Sequence, residues 1–173
     1  MKLAKRLIPA TEPKTAKKKI LVVDDNPQIR QSLQKVLRAE GYEVVLAAAG
    51  REGIEKFGAE QIDLLLLDVS LPDIGGWDVF GTVSSLNPFV PILIITGRDE
   101  QYDLAVLSGV AALIEKPLDV PRLLETIEET LAEPAEKHIK RLVGLHSNLR
   151  HVLPVVPHFH QNEGVRSQGE VPS

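Results

Sequence analysis

From Ile20 onward, short apolar runs rich in strand formers alternate with longer segments of helical periodicity, and nothing else in the chain constrains its fold as strongly. The runs are 20–23 (ILVV), 43–47 (EVVLA), 62–67 (IDLLLL), 91–95 (PILII) and 110–114 (VAALI). Between the first two, Asn26 and Pro27 supply a cap and a first helical position, and Ile29, Leu33, Val36 and Leu37 share a face until Gly41. Gly50 to Phe57 reads as a second helix with Ile54 inward, Gly76 to Leu86 as a third and Asp99 to Leu107 as a fourth. Asp119 caps a fifth, with Leu123, Leu124, Ile127 and Leu131 as its stripe. Nearly continuous apolar strands separated by helices require a parallel sheet covered on both faces, a doubly wound α/β sandwich.

Charge divides the 173 residues into three parts. Residues 1–19 hold seven Lys/Arg against one Glu (+6), residues 20–130 eight against nineteen Asp/Glu (−11), and residues 131–173 five against four (+1). An acidic middle is unsuited to a phosphate backbone and suited to a cation. The arm at 1–18, with Lys17 and Lys18 and with prolines at 9 and 13, reads as a solvated lead-in. No run approaches the roughly 18 apolar residues of a membrane span, and the basic start lacks the apolar stretch of a signal peptide, so a cytoplasmic protein is expected. The absence of cysteine excludes disulfides, thiolate metal sites and a Cys nucleophile. All five histidines lie beyond residue 130, so acid–base chemistry in the middle would proceed without imidazole. His158-Phe159-His160 matches no zinc-finger spacing.

In parallel α/β sheets, functional groups gather beyond the carboxyl ends of the strands. Here the first apolar run ends in Asp24-Asp25, the third in Asp68, the fourth in Thr96 and the fifth in Lys116. Three carboxylates held close together repel unless a cation joins them, and oxygen ligands without His or Cys favour Mg²⁺ or Mn²⁺. With a lysine and a threonine alongside, such a cluster is equipped for a phosphoryl group. No Ser, His or Cys nucleophile with a paired base is evident, so the acceptor should be a carboxylate. Asp68, central in the set and following the most apolar run, is the natural choice.

The pieces ILVVDDN at 20–26, LLLLDVSLP with Gly75-Gly76 at 64–76, PILIITG at 91–97 and EKPLD at 115–119 occur in that order. Together they resemble the receiver domain of two-component response regulators, over about two thirds of the chain. The resemblance implies a flavodoxin-like fold, a five-stranded parallel sheet of order 2-1-3-4-5 flanked by five helices, over a receiver at 19–132. It implies that Asp68 accepts a phosphoryl group from a sensor histidine kinase or a histidine phosphotransfer protein. Asp24, Asp25, Asp68 and the backbone carbonyl of Ser70 would hold the metal, Lys116 would bridge to the phosphoryl group, the Lys116–Pro117 bond would be cis, and Thr96 would be the switch hydroxyl. A receiver assists its own phosphotransfer and dephosphorylation and is not otherwise an enzyme.

The chain departs from the family pattern where Tyr or Phe usually stands three residues before the lysine. That position is Leu113, which has no hydroxyl, and the stretch from Thr96 to Lys116 is slightly short. Intact phosphorylation chemistry with an unusual output surface is the expectation, with Ser70 and Arg98 flanking the path of attacking water. The tail, 133–173, is too short for a DNA-binding output domain. Its residues 136–151 read as one basic helix with Ile139, Leu142, Val143 and Leu149 on a face, able to dock on the receiver, pair two receivers as a homodimer or meet an unknown downstream protein, and beyond Val152 disorder is expected. Two other readings compete. A haloacid-dehalogenase-like phosphatase also uses a strand-end Asp, but wants a second Asp two residues later, where Ser70 stands. A pseudo-receiver binding partners without phosphorylation would not need the complete set of Asp24, Asp25, Asp68, Thr96 and Lys116.

Overall fold

Strands that are aliphatic along most of their length find cover only when helices lie on both sides of the sheet. The computed structural model, which describes residues 17–97, 105, 108–143 and 149–154, has that arrangement. Its strands are β1 (Lys19–Val23), β2 (Glu43–Ala47), β3 (Leu64–Asp68), β4 (Ile92–Thr96), β5 (Ala112–Glu115) and β6 (Arg150–Val152). All pair in parallel in the order β2-β1-β3-β4-β5-β6, which contains the expected 2-1-3-4-5 and adds a strand outside β5. The described helices are α1 (Pro27–Ala39), α2 (Gly50–Ala59), α3 (Gly76–Leu86), α4 (Val120–Leu131) and α5 (Ala135–Leu142). The helix expected over Asp99 to Leu107 falls largely outside the described residues, as do Arg98, the arm at 1–16 and the tail beyond Pro154.

The pleat sorts the strand side chains by parity. Leu21, Val23, Leu65, Leu67 and Ile94 face Phe57 of α2 and Val79 and Val83 of α3. Ile20, Val22, Leu64, Leu66 and Ile95 face Leu33 and Leu37 of α1 and Leu123 and Ile127 of α4. Asn26 Oδ1 accepts hydrogen bonds from the amides of Gln28 and Ile29 at 2.9 and 3.4 Å, with Pro27 opening the helix behind it. Gly41, at φ +89°, then turns the chain into β2. β3 begins two residues later than its apolar run because Asp63 is used as a bracket, accepting from the Lys19 amide and from Lys18 Nζ, both at 2.8 Å.

The tail departs from expectation. The helix read over 136–151 ends at Leu142, and residues 150–152 form β6 instead. A helix is hard to extend through Gly144, whereas the outer edge of β5 offers a row of backbone groups that need partners. The inward face of α5 also differs. His138 and Arg141 are buried, and Ile139 and Val143 stand 43% and 61% exposed. His138 Nε2 meets the Pro88 carbonyl at 2.9 Å and Arg141 pairs with Glu133, so hydrogen bonding rather than apolar burial sets the rotation of this helix.

Candidate functional site

β1, β3, β4 and β5 end at one edge of the sheet, which carries Asp24, Asp25, Asp68, Thr96 and Lys116 to neighbouring positions. Asp24, Asp68 and Thr96 are buried, at 0%, 2% and 0% exposure, and Asp25 is exposed. One carboxylate oxygen from each of the three aspartates lies within 4.8 Å of the others. Lys116 Nζ donates to Asp68 Oδ2 at 2.6 Å and to Asp24 Oδ2 at 3.1 Å, bridging the two buried carboxylates. The remaining oxygens are held by the backbone: Asp24 Oδ1 accepts from the Asn26 amide and Asp68 Oδ1 from the Ser70 amide, both at 2.8 Å.

Burial and charge pull in opposite directions here. Burial raises the Asp24 pKa above the usual carboxylate value, against the lowering effects of the Asn26 amide and of Lys116, and the nearby Asp68 charge raises it further. Burial also works to lower the Lys116 pKa, but its contacts with Asp68 and Asp24 outweigh it, and the ammonium stays charged. Three carboxylates against this lysine leave the cluster formally two charges short of neutrality, and every donor is an oxygen. That set suits a divalent hard cation.

Lys116 is aimed by its backbone. Its amide donates to the Thr96 carbonyl at 2.7 Å, continuing the β4–β5 ladder, and the Lys116–Pro117 bond is cis. Gly76 holds the opposite wall close. A Cβ there would lie 2.3 Å from Val69 Cα and 2.7 Å from the Asp68 carbonyl oxygen, so only glycine lets the start of α3 press against the loop after Asp68. Leu113 is buried, paired in register with Ile94 on one side and His151 on the other.

Two contributors carried no sequence signal of their own. Arg30 Nη1 donates to the Asp24 carbonyl at 2.6 Å from the first turn of α1. Asp73 accepts from the amides of Gly50 and Arg51 at 2.8 and 2.9 Å, tying the loop after Asp68 to the start of α2. Those amides, Arg51 first, hold the Asp73 carboxyl at a pKa of about 2.

A family model described as the response regulator receiver domain matches residues 20–128. The chain belongs to the response regulator receiver family. The receiver is similar to the transcriptional regulatory protein ZraR of Salmonella typhimurium, 38% identical over 119 residues, which cover 68% of this chain and 27% of that protein. It is similar to the response regulator ArlR of Staphylococcus saprophyticus, 33% identical over 129 residues, 73% of this chain and 58% of that one. This receiver therefore spans about a quarter of the length of several curated relatives it matches. Among solved structures it is similar to a CheY-like receiver domain protein from Methanospirillum hungatei, with a TM-score of 0.66 and 37% identity over 70% of this chain and 98% of that one. It is also similar to the response regulator TrrA of Thermotoga maritima, solved in complex with Mg²⁺ and beryllium fluoride, with a TM-score of 0.61 and 32% identity over 65% of this chain and 98% of that one. Receivers of two-component systems are signalling modules phosphorylated on an aspartate.

Proposed function

We propose that Asp68 is that aspartate and that the chain is a phosphorylation-controlled signalling module. It takes its phosphoryl group from the phosphohistidine of a sensor histidine kinase or histidine phosphotransfer protein. The observation that carries this reading is the Lys116 ammonium spanning Asp68 and Asp24, at 2.6 and 3.1 Å, beside a third carboxylate. A carboxylate oxygen of Asp68 attacks phosphorus as the P–N bond breaks, and the imidazole leaves with that electron pair and takes up a proton. Lys116, already charged and aimed at Asp68, pairs with the phosphoryl oxygens, and the Thr96 hydroxyl bonds one of them.

Asp24, Asp25, Asp68 and the Ser70 backbone carbonyl are the groups that would hold Mg²⁺ or Mn²⁺. Bound there, the ion neutralises the clustered carboxylates and spreads the charge of the phosphoryl group being transferred. The receiver unit is assigned to residues 19–132, with 1–18 as an arm and 133–173 as a tail. Turnover is limited to the chain's own phosphorylation and dephosphorylation. Output by protein contact in the cytoplasm, rather than by DNA binding, fits the excess of acidic over basic residues in the middle of the chain.

Intact-mass measurement after incubation with a small phosphodonor and Mg²⁺ tests the assignment. A single phosphoryl adduct is expected on the wild type, absent from Asp68→Ala and strongly reduced when Mg²⁺ is chelated. A folded wild type that binds Mg²⁺ and forms no adduct would make the chain a pseudo-receiver and reject the assignment.

A further inference from the structure

Asp25 stands apart in the carboxylate cluster. Asp24 and Asp68 are buried, and each is bonded to Lys116 through one oxygen and to a backbone amide through the other. Asp25 is exposed and no described group bonds its carboxylate, yet one of its oxygens lies within 4.8 Å of theirs. With no tether on the side chain, its placement is set by its main chain.

That main chain is held at the preceding residue. The peptide joining Asp24 to Asp25 is planar, so fixing the direction of the Asp24 carbonyl also fixes the Asp25 amide and the plane that holds its Cα. Arg30 Nη1 donates to that carbonyl at 2.6 Å. Arg30 is itself anchored on the same loop, its amide donating to the Asn26 carbonyl at 3.1 Å as α1 begins. One residue thus grips the loop twice, at Asp24 with its side chain and at Asn26 with its backbone.

The guanidinium is also a cation close to a cluster that suits a cation. Glu52 lies within reach of its charge: Lys56 first and the Ala48 amide second hold the Glu52 carboxyl below its usual pKa, and the Arg30 charge adds to that lowering. The bond to the Asp24 carbonyl and the positive charge therefore bear on a divalent ion with opposite signs, the first favouring it and the second opposing it.

We propose that Arg30 is a positioning residue for the divalent cation, holding the Asp24 carbonyl so that Asp25 is set beside Asp24 and Asp68 before the ion arrives. This rests on the reading of the three aspartates as metal ligands. Contacts that orient a metal ligand typically change affinity by roughly 10–100-fold when removed. Arg30 orients one ligand of the set through a backbone carbonyl, which places it at the low end.

Calorimetric titration of the full chain with Mg²⁺ decides it. Arg30→Met keeps the apolar stem and loses the donor and the charge, and Arg30→Ala loses all three; each should weaken Mg²⁺ binding about tenfold. Arg30→Lys, which keeps a donor and the charge, should lie closer to the wild type. Arg51→Ala removes a nearby positive charge that does not touch the loop and should stay within about twofold. In an Asp25→Ala background, adding Arg30→Met should cost little more, because the brace acts through Asp25, whereas a general loosening of the fold would make the two losses multiply. Mg²⁺ binding by folded Arg30→Met or Arg30→Ala that equals or exceeds the wild type's would overturn the proposal, as would losses that multiply in the Asp25→Ala background. A wild type that takes up no Mg²⁺ would overturn the metal assignment and this proposal with it.

Discussion

The carboxyl edge of the sheet and the outer edge of β5 meet at Glu115 and Lys116, and they are held by opposite means. At the first, charged groups are buried, each bonded to the next and to backbone: Lys116 spans Asp68 and Asp24, and the Ser70 and Asn26 amides bind what remains. At the second, a three-residue strand is tied by charges of which Glu129 is half open to solvent. Removing one member of the buried set leaves a desolvated charge without its partner, whereas at the edge the half-exposed Glu129 can be hydrated when Arg150 is removed, although Glu115 and Thr130 beside it are buried. The first region is held by buried polar bonds throughout, the second only in part.

The contrast is broken most severely at Gly76. Gly76→Ala sets a Cβ against Val69 Cα and the Asp68 carbonyl, backbone atoms that cannot swing aside. A loss of about 1–3 kcal/mol is expected in urea unfolding, the usual range for overpacking a close contact. Gly81→Ala is its control, because a Cβ there meets nothing within 4 Å, and it should leave stability nearly unchanged or raise it through helix propensity. Equal losses at both positions would mean that the loop after Asp68 yields more easily than its packing implies.

Charge at the site should cost stability rather than add it. Burial raises the Asp24 pKa, so the folded state binds its proton more tightly than the unfolded state does. Between the two pKa values the folded chain carries more protons, and this group's contribution to stability falls as pH rises. Asp24→Asn should therefore stabilise the chain at neutral pH by roughly 0.5–2 kcal/mol, the range of single stabilising changes at functional positions, and the gain should shrink on acidification. Asp73 runs the other way. Its folded pKa is lowered to about 2, so the stability it contributes is fully present above the unfolded carboxylate pKa and is lost as pH falls through that window toward 2. Asp73→Asn should flatten the acid limb of the stability profile that Asp24→Asn leaves in place. Denaturant midpoints followed from pH 7 to pH 3 separate the two, and slopes of the same sign would contradict the assignment.

The site was easier to read in the sequence than the edge because its determinants are local. Strand ends follow from apolar runs, and a polar residue just past such a run falls at the carboxyl edge without knowledge of any distant contact. Asp24, Asp25, Asp68, Thr96 and Lys116 were legible on that ground, although their chemical roles came through resemblance. Arg30 was not, because an arginine in the first turn of α1 reads as surface until its guanidinium is seen on the Asp24 carbonyl. Asp73 caps a helix whose first residues lie more than 20 positions earlier in the chain. The tail misled for a related reason. Ile139, Leu142, Val143 and Leu149 have helical spacing, but the rotation of α5 is set by His138 and Arg141 bonding to distant groups, and β6 exists because β5 has an open edge. Neither cause is visible in a window of neighbouring residues.

The smallest effect is expected where Arg150 meets Glu129. Arg150→Ala should cost about 0.2–1 kcal/mol in global unfolding, as exposed pairs do, and a double-mutant cycle with Glu129→Ala should return a coupling at the lower end of that range. The Thr130 hydroxyl that Arg150 also meets is buried, at 4% exposure, so losing that bond places the cost toward the upper end of the range. A change this small in global stability can still shift the local opening of β6 several-fold, because opening a short edge strand involves far less structure than unfolding the sheet. Global stability and β5-edge exchange should therefore separate in this variant, whereas Gly76→Ala should move both. A coupling above about 2 kcal/mol between Arg150 and Glu129 would place the tail strand in the same tightly bound class as the buried site, and the two regions would no longer differ in how they are held.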